Sequence, residues 1–109
     1  MESNKFDFII IGAGSAGCVI ANRLTASGKF RVLLLEAGPS DSSPWIHMPI
    51  GYGRNFSNPK VNWLYSSEPG IDWVKRPIKQ PRGKVLGGSS SINGLVYMRG
   101  QKEDYDHWR

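Results

Sequence analysis

Two glycine-rich stretches hold the residues whose type and spacing suggest chemistry. The first is Gly12-x-Gly14-x-x-Gly17, and the second is the small-residue run 87–91 inside "GKVLGGSSSIN". Side chains this small bury little surface, and such runs lose much chain entropy on folding. They do allow a large anionic group to lie directly against backbone N–H groups. The question is why one short chain carries two such loops.

The first motif lies between elements that suit a dinucleotide site. The apolar run Phe6–Ile11 predicts a buried parallel strand, and Arg31–Glu36 predicts a second one. A helix between them is predicted by small and apolar residues at helical spacing, namely Gly17, Ile20, Ala21 and Leu24. Strand, glycine loop, helix and strand within about 30 residues make a βαβ unit. The sequence therefore predicts an α/β fold of the Rossmann type.

Each residue of the first motif has a physical role in such a site. Gly12 permits a tight turn, Gly14 lets the backbone approach a pyrophosphate, and Gly17 lets the helix pack close to the sheet. The helix N-terminus adds free N–H groups and a partial positive charge. Glu36 would accept hydrogen bonds from an adenosine ribose and would repel a 2′-phosphate, which disfavours NADP. These elements alone leave open NAD, FAD and a plain glycine-rich turn.

The rest of the chain extends this region without a visible domain boundary. Its 109 residues suffice for one small domain. From Ala37 onward a long irregular connection is too apolar for a free linker, so we expect it to be packed and functional. Val61–Tyr65 and Trp73–Lys79 predict short strands, and Pro77 marks the second as an edge. A helix is predicted from Gln101, and the chain is expected to be cut within it, which leaves the fold incomplete.

Composition argues against several other classes of function. Lys and Arg exceed Asp and Glu by 14 to 9, but the excess is scattered, which is typical of a solvated surface and not of a nucleic-acid site. No segment approaches the roughly 20 apolar residues of a transmembrane helix. No His, Cys, Asp or Glu spacing indicates a metal site. Because Cys18 is the only cysteine, we expect a reducing, cytoplasmic location.

The second glycine stretch favours FAD over NAD. Read in full, "PRGKVLGGSSSINGLVYMRG" resembles the first signature of the glucose–methanol–choline (GMC) flavoprotein oxidoreductases. The motifs "LLLEAGP", "NWLYSSEP" and "EDYDHW" stand around it in the family's order, so the resemblance covers the whole chain. The pattern is similar to that of bacterial choline- and alcohol-dehydrogenase-like members. It implies FAD as the cofactor, and residues 1–109 as the N-terminal portion of the FAD-binding domain.

The resemblance also implies which residues contact FAD. In the family the first loop cradles the pyrophosphate, Glu36 holds the ribose, and the second loop follows the middle of the cofactor towards its flavin end. The implied contacts are Gly12, Gly14, Ser15, Ala16, Gly17, Glu36, Ala37, Arg82, Gly83, Val85, Gly87, Gly88, Ser89, Asn93, Gly94, Leu95 and Val96. Because FAD is long, we expect each loop to face a different part of one extended ligand. We expect Ser89 to act there as a helix N-cap.

The activity that the resemblance implies is oxidation of a primary alcohol, choline-like or other, by hydride transfer to flavin. No catalytic residue is assigned within this chain. His47 and His107 are the histidines that could be proposed as a general base, but neither matches the family's catalytic histidine, which belongs to the far C-terminal part of a longer protein. Two alternatives stay open. One is an inactive truncated fragment, and the other is an NAD-binding Rossmann module, which leaves residues 81–100 unexplained.

Overall fold

Two parallel strands joined by a helix form the first part of the fold. In the computed structural model, which describes residues 5–69 and 76–109, strand β1 is Phe8–Ile11, helix α1 is Ser15–Thr25 and strand β2 is Val32–Leu35. The strands pair in parallel, with Phe8 beside Val32 at the start of the register. This βαβ unit confirms the predicted fold class.

Asp7 explains why both strands begin later than predicted. The Asp7 N–H donates to the Arg31 carbonyl at 2.8 Å, as a strand residue would. The Arg31 N–H, however, donates to the Asp7 carboxylate at 2.7 Å and not to backbone. A side chain thus takes the place of a backbone acceptor, and the regular ladder starts one residue further on.

The long connection after β2 folds into short helical turns, but it is less packed than predicted, since several of its large apolar side chains are exposed, with Ile50 at 88%. It contains two one-turn helices, α2 (Pro44–His47) and α3 (Tyr52–Asn55), separated by a 3₁₀ turn at Pro49–Gly51. The Asn55 carboxamide, 2% exposed, donates to the Trp45 carbonyl at 2.9 Å and ties the two turns together. The guanidinium of Arg54 lies over the Trp45 ring, 4.0 Å from its centroid.

The first strand of the second, smaller sheet begins at a later residue than the sequence predicts. Strand β3 (Tyr65–Ser66) pairs antiparallel with β4 (Lys79–Gln80), and Asn62 forms an isolated bridge with Gly83. The prediction of one strand over residues 61–65 is wrong because Leu64 has a φ of +56° and breaks the extended chain. Of the strand predicted at 73–79, residues 73–75 lie outside the described part of the chain.

The buried apolar core lies beneath the second glycine stretch and not against the parallel sheet. Val61, Val85 and Ile92 are at most 4% exposed and form one cluster, with Ile46 packed against it. Large apolar side chains of the parallel strands are far more open, with Ile11 87% exposed. The core therefore anchors the second glycine stretch.

The last element is a helix, as predicted. Helix α4 is Lys102–Trp108, and the Gln101 N–H donates to the Asp104 carboxylate at 3.1 Å at its start. Tyr105 and Trp108 meet edge to face, with ring centroids 5.8 Å apart. Within residues 5–69 and 76–109, no helix is long and apolar enough to cross a bilayer.

The packing of Gly38 gives a test of this fold. A Cβ on Gly38 would overlap the Lys84 carbonyl, which is backbone and has little room to yield. We expect Gly38→Ala to lower the free energy of unfolding of the full-length protein by about 1–3 kcal/mol, measured by urea denaturation. The matched control is Gly53→Ala, since among the described residues outside its own helix no atom lies within 4 Å of a Cβ there. Equal stability of the two variants would contradict the packing described.

Candidate functional site

A cleft of about 780 Å³ opens at the carboxyl ends of β1 and β2. Ligands of open parallel sheets bind at this edge. Four segments form the walls: the loop after β1 with the start of α1, the end of β2, residue 63, and the second glycine stretch. The lining residues are Ile11, Gly12, Gly14, Ser15, Ala16, Gly17, Leu35, Glu36, Ala37, Trp63, Arg82, Gly83, Gly88 and Ser89.

The two glycine stretches touch each other through backbone. The Gly87 N–H donates to the Ala13 carbonyl at 2.7 Å. A Cβ on Gly88 would lie 2.8 Å from the Gly14 Cα, and Gly88 also has a φ of +62°. A side chain is therefore excluded at Gly88. The structure confirms that the two stretches meet at one cleft.

Glu36 joins the loops that follow the two parallel strands. One of its carboxylate oxygens accepts the Ala13 N–H at 2.8 Å, and the other accepts the Gly38 N–H at 3.0 Å. The side chain is half-buried, so these bonds fix its orientation at the cleft wall. Each carboxylate oxygen has a further lone pair, which is free to accept a hydrogen bond from a ligand hydroxyl.

The packing and backbone conformation of the described residues do not explain why residue 14 is a glycine. Its φ is −77°, which any residue adopts, and no atom of residues 5–69 and 76–109 lies within 4 Å of a Cβ built there. By contrast, a Cβ on Gly17 would overlap the Gly12 carbonyl, so Gly17 serves the close packing of helix and strand, as predicted. Gly14 thus leaves space over the N-terminus of α1, where N–H groups and the helix dipole favour an anion.

The second stretch adds positive charge and a closed turn. Arg82 lines the cleft, and its exposed guanidinium makes no ion pair within the described residues. The expectation that Ser89 caps a helix is wrong: the 3₁₀ segment runs from Gly88 to Ile92, and its cap position is Gly87. The Ser89 hydroxyl instead accepts the Gly83 N–H at 3.0 Å and closes the stretch on itself.

Some residues implied by the family resemblance lie away from the cleft. Val85 is 0% exposed in the core, and Gly87 supports the contact with the first loop without lining the cleft. Residues 93–96 follow the 3₁₀ segment and are exposed outside these walls; they are Asn93, Gly94, Leu95 and Val96. Their contact with the flavin end of a cofactor stays a prediction.

Neither histidine belongs to the cleft wall. His47 lies on α2, where its Nε2 is 2.6 Å from the Asp41 carbonyl oxygen. His107 lies on α4. In the described ranges, 5–69 and 76–109, no three His, Cys, Asp or Glu side chains come together as a set that would hold a metal ion.

Three wall residues are absent from the predicted contacts, namely Ile11, Leu35 and Trp63, and of these Trp63 lies outside the βαβ unit. Its ring stacks on Tyr65 with centroids 6.0 Å apart, and the Lys84 ammonium is 5.0 Å from the Trp63 ring centroid. The backbone N–H of Trp63 donates to the Arg82 carbonyl at 2.9 Å. This bond places the Trp63 side chain beside the second glycine stretch. The motif "NWLYSSEP" contains this residue, but only the long-range bond to Arg82 shows that it reaches the cleft.

Because the space at Gly14 is open, a substitution there should weaken ligand binding without lowering the stability of the protein. We expect Gly14→Val to leave the unfolding midpoint of the ligand-free, full-length protein nearly unchanged. Dinucleotide binding should fall at least about tenfold, since the new side chain fills the space over the helix N-terminus. Isothermal titration and thermal unfolding measure the two effects.

Gly53→Val is the control for Gly14→Val, since a Cβ at Gly53 also meets nothing within 4 Å and Gly53 lies outside the cleft wall. It should bind the dinucleotide as the parent does. Unchanged binding by Gly14→Val would show that Gly14 is only a turn residue.

Comparison with known proteins identifies what this chain is similar to. The family model described as GMC oxidoreductase matches residues 6–109. An alcohol dehydrogenase [acceptor] of Pseudomonas putida is 54% identical over 103 residues, which cover 94% of this chain and 19% of the relative. An oxygen-dependent choline dehydrogenase of Photobacterium profundum is 52% identical over 106 residues, which cover 97% of this chain and 19% of the relative.

A solved structure extends the similarity to the fold. The crystal structure of pyridoxine 4-oxidase from Mesorbium loti superposes with a TM-score of 0.82 at 35% identity, covering 95% of this chain and 20% of that one. The chain thus spans about a fifth of the length of the proteins it matches.

Proposed function

Because this chain belongs to the GMC oxidoreductase family, whose cofactor is FAD, we propose that it forms the FAD-binding portion of an oxidoreductase that oxidises a primary alcohol. The observation that carries the proposal is the contact between two glycine stretches at one cleft, with the backbone at Gly14 left open. An alcohol dehydrogenase and a choline dehydrogenase among the relatives favour an alcohol, choline-like or other, as substrate.

The residues of the cleft suit the two phosphates and the ribose of FAD. The N-terminus of α1, at residues 14–17, offers N–H groups to the pyrophosphate. The exposed guanidinium of Arg82, which directly precedes the second glycine stretch, adds positive charge to the cleft wall. Glu36, held by two backbone N–H groups, accepts from a ribose hydroxyl and repels a 2′-phosphate.

The second glycine stretch favours a cofactor that extends beyond the first loop, because it lines the same cleft. A single βαβ unit with one glycine loop suffices for the pyrophosphate of any dinucleotide. Gly83, Gly88 and Ser89 extend the bare backbone surface beyond that loop. We propose that this extension follows the middle of FAD, and that residues 93–96 lie near its flavin end.

In this mechanism the chain binds and orients the cofactor. FAD, when bound, supplies the acceptor for the two electrons removed from the alcohol carbon. Glu36 and the helix N-terminus fix the adenosine side, and the absence of side chains at Gly14 and Gly88 keeps the ligand against backbone. No residue of this chain is proposed as the base that takes the hydroxyl proton. A cytoplasmic location stays a prediction that rests on the single cysteine.

Spectroscopy of the full-length protein tests the proposal. The purified protein should be yellow and should release FAD on denaturation. Anaerobic addition of a primary alcohol should bleach the flavin absorbance, with choline and a simple aliphatic alcohol compared side by side. A colourless protein that binds NAD would overturn the cofactor, and a flavin that no primary alcohol bleaches would overturn the substrate class.

Glu36 provides a second test, because its carboxylate accepts two backbone N–H groups and is also proposed to accept a hydrogen bond from the ribose. Glu36→Gln replaces one acceptor oxygen by an NH₂ group, which cannot accept the Ala13 or Gly38 N–H. We expect FAD binding to weaken about 10- to 100-fold, which corresponds to a lost charge-assisted hydrogen bond of roughly 1.5–3 kcal/mol. The ligand-free protein should also lose stability.

The control for this substitution is Glu103→Gln on α4, where the carboxylate is exposed and outside the cleft wall. It should change neither FAD binding nor stability. If Glu36→Gln bound FAD as tightly as Glu103→Gln, the assignment of Glu36 to the ribose would be lost.

A further inference from the structure

Asn62 is a buried polar residue outside the cleft wall whose side chain is fully used. It is 2% exposed. Its Nδ2 donates to the Phe56 carbonyl at 3.1 Å and to the Asn55 carbonyl at 3.4 Å. Its Oδ1 accepts the N–H groups of Leu64 and Arg82, each at 3.0 Å. Two donors and two acceptors are the full capacity of a carboxamide in a single orientation.

The bond to Arg82 spans 20 residues and determines where the second glycine stretch begins. Pro81 has no N–H, so the Arg82 N–H is the first backbone donor after β4, directly before the second glycine stretch. The carbonyl of Arg82 also has a partner, since it accepts the backbone N–H of Trp63 at 2.9 Å. The backbone of Arg82 is therefore held at both ends by residues 62 and 63.

The left-handed turn at Leu64 explains why a side chain is needed here. With a φ of +56°, Leu64 interrupts the extended chain between the Asn62–Gly83 bridge and β3. Asn62 Oδ1 bonds the Leu64 N–H and thereby stabilises this turn, while the same oxygen holds Arg82. One atom thus couples the turn between the Asn62–Gly83 bridge and β3 to the residue that brings charge to the cleft.

We propose that Asn62 is a positioning residue of the FAD site, which acts through Arg82. The inference rests on the proposed function, since FAD is the ligand whose binding it affects. Without Oδ1, the Arg82 N–H loses its partner, and both the guanidinium and the adjoining Gly83 can leave the cleft wall. The Nδ2 bonds serve a different purpose, because they only secure the connection at residues 55–56.

A double-mutant cycle in the full-length protein tests this coupling, with FAD dissociation constants measured by flavin fluorescence. We expect Asn62→Ala to weaken FAD binding roughly tenfold. In an Arg82→Ala background the same substitution should change binding by less than about threefold, since the group that Asn62 positions is gone. Effects that multiply fully in the double variant would overturn the proposal.

Asn55→Ala is the matched control. Asn55 is also 2% exposed and its carboxamide also bonds a backbone carbonyl, but that carbonyl belongs to Trp45 and not to the segment at Arg82. It should lower stability as Asn62→Ala does and leave the FAD dissociation constant within about threefold. Equal losses of affinity in Asn55→Ala and Asn62→Ala would show that both act only through stability.

Asn62→Asp keeps the proposal testable if the alanine variant does not fold. Aspartate retains an acceptor for the Arg82 N–H but places negative charge against the Asn55 and Phe56 carbonyls. We expect lower stability with FAD binding within about threefold of the parent. Affinity that falls in step with stability would refute a positioning role. If the unaltered protein bound no FAD, the proposed function itself would fail, which is a separate outcome.

Discussion

The backbone contact between the two glycine stretches is the constraint on which the rest of this structure depends. The Gly87 N–H reaches the Ala13 carbonyl at 2.7 Å, and Gly88 lies so close to Gly14 that a side chain on it would meet the Gly14 Cα. This contact places the N-terminus of α1 and the second stretch on one surface. Glu36 extends the same surface to the end of β2 through its bonds to Ala13 and Gly38.

The order of residues in "GKVLGGSSSIN" follows from that contact. Val85 and Ile92 point into the core, at 0% and 2% exposed, and anchor the stretch from below. Gly87 and Gly88 between them meet the first loop, and Ser89 bonds back to Gly83 at 3.0 Å. Apolar burial on one side therefore offsets the conformational entropy that the small residues lose on the other.

What the sequence predicted well is local or periodic. The βαβ unit, the roles of Gly12 and Gly17, and the helix after Gln101 follow from spacing within a few residues. Residues of both glycine stretches line one cleft, while the expectation that they hold one ligand, which rests on the family resemblance and not on spacing, stays a prediction.

What sequence reasoning missed depends on contacts between distant residues. Nothing local shows that Asn62 bonds Arg82, that Trp63 reaches the cleft, or that Val85 turns into the core. The Ser89 prediction failed for a related reason, because its hydroxyl found the Gly83 N–H in place of a helix end. Side-chain hydrogen bonds over such separations compete with local capping, and spacing alone does not rank them.

Hydrogen exchange of the full-length protein with increasing FAD tests the shared cleft most directly. The amides at residues 14–17 and those at residues 83 and 87–89 should gain protection together, with the same FAD concentration at the midpoint. That result follows if one extended ligand lies against both stretches. Protection confined to residues 14–17, with exchange in the second stretch unchanged at saturating FAD, would contradict it.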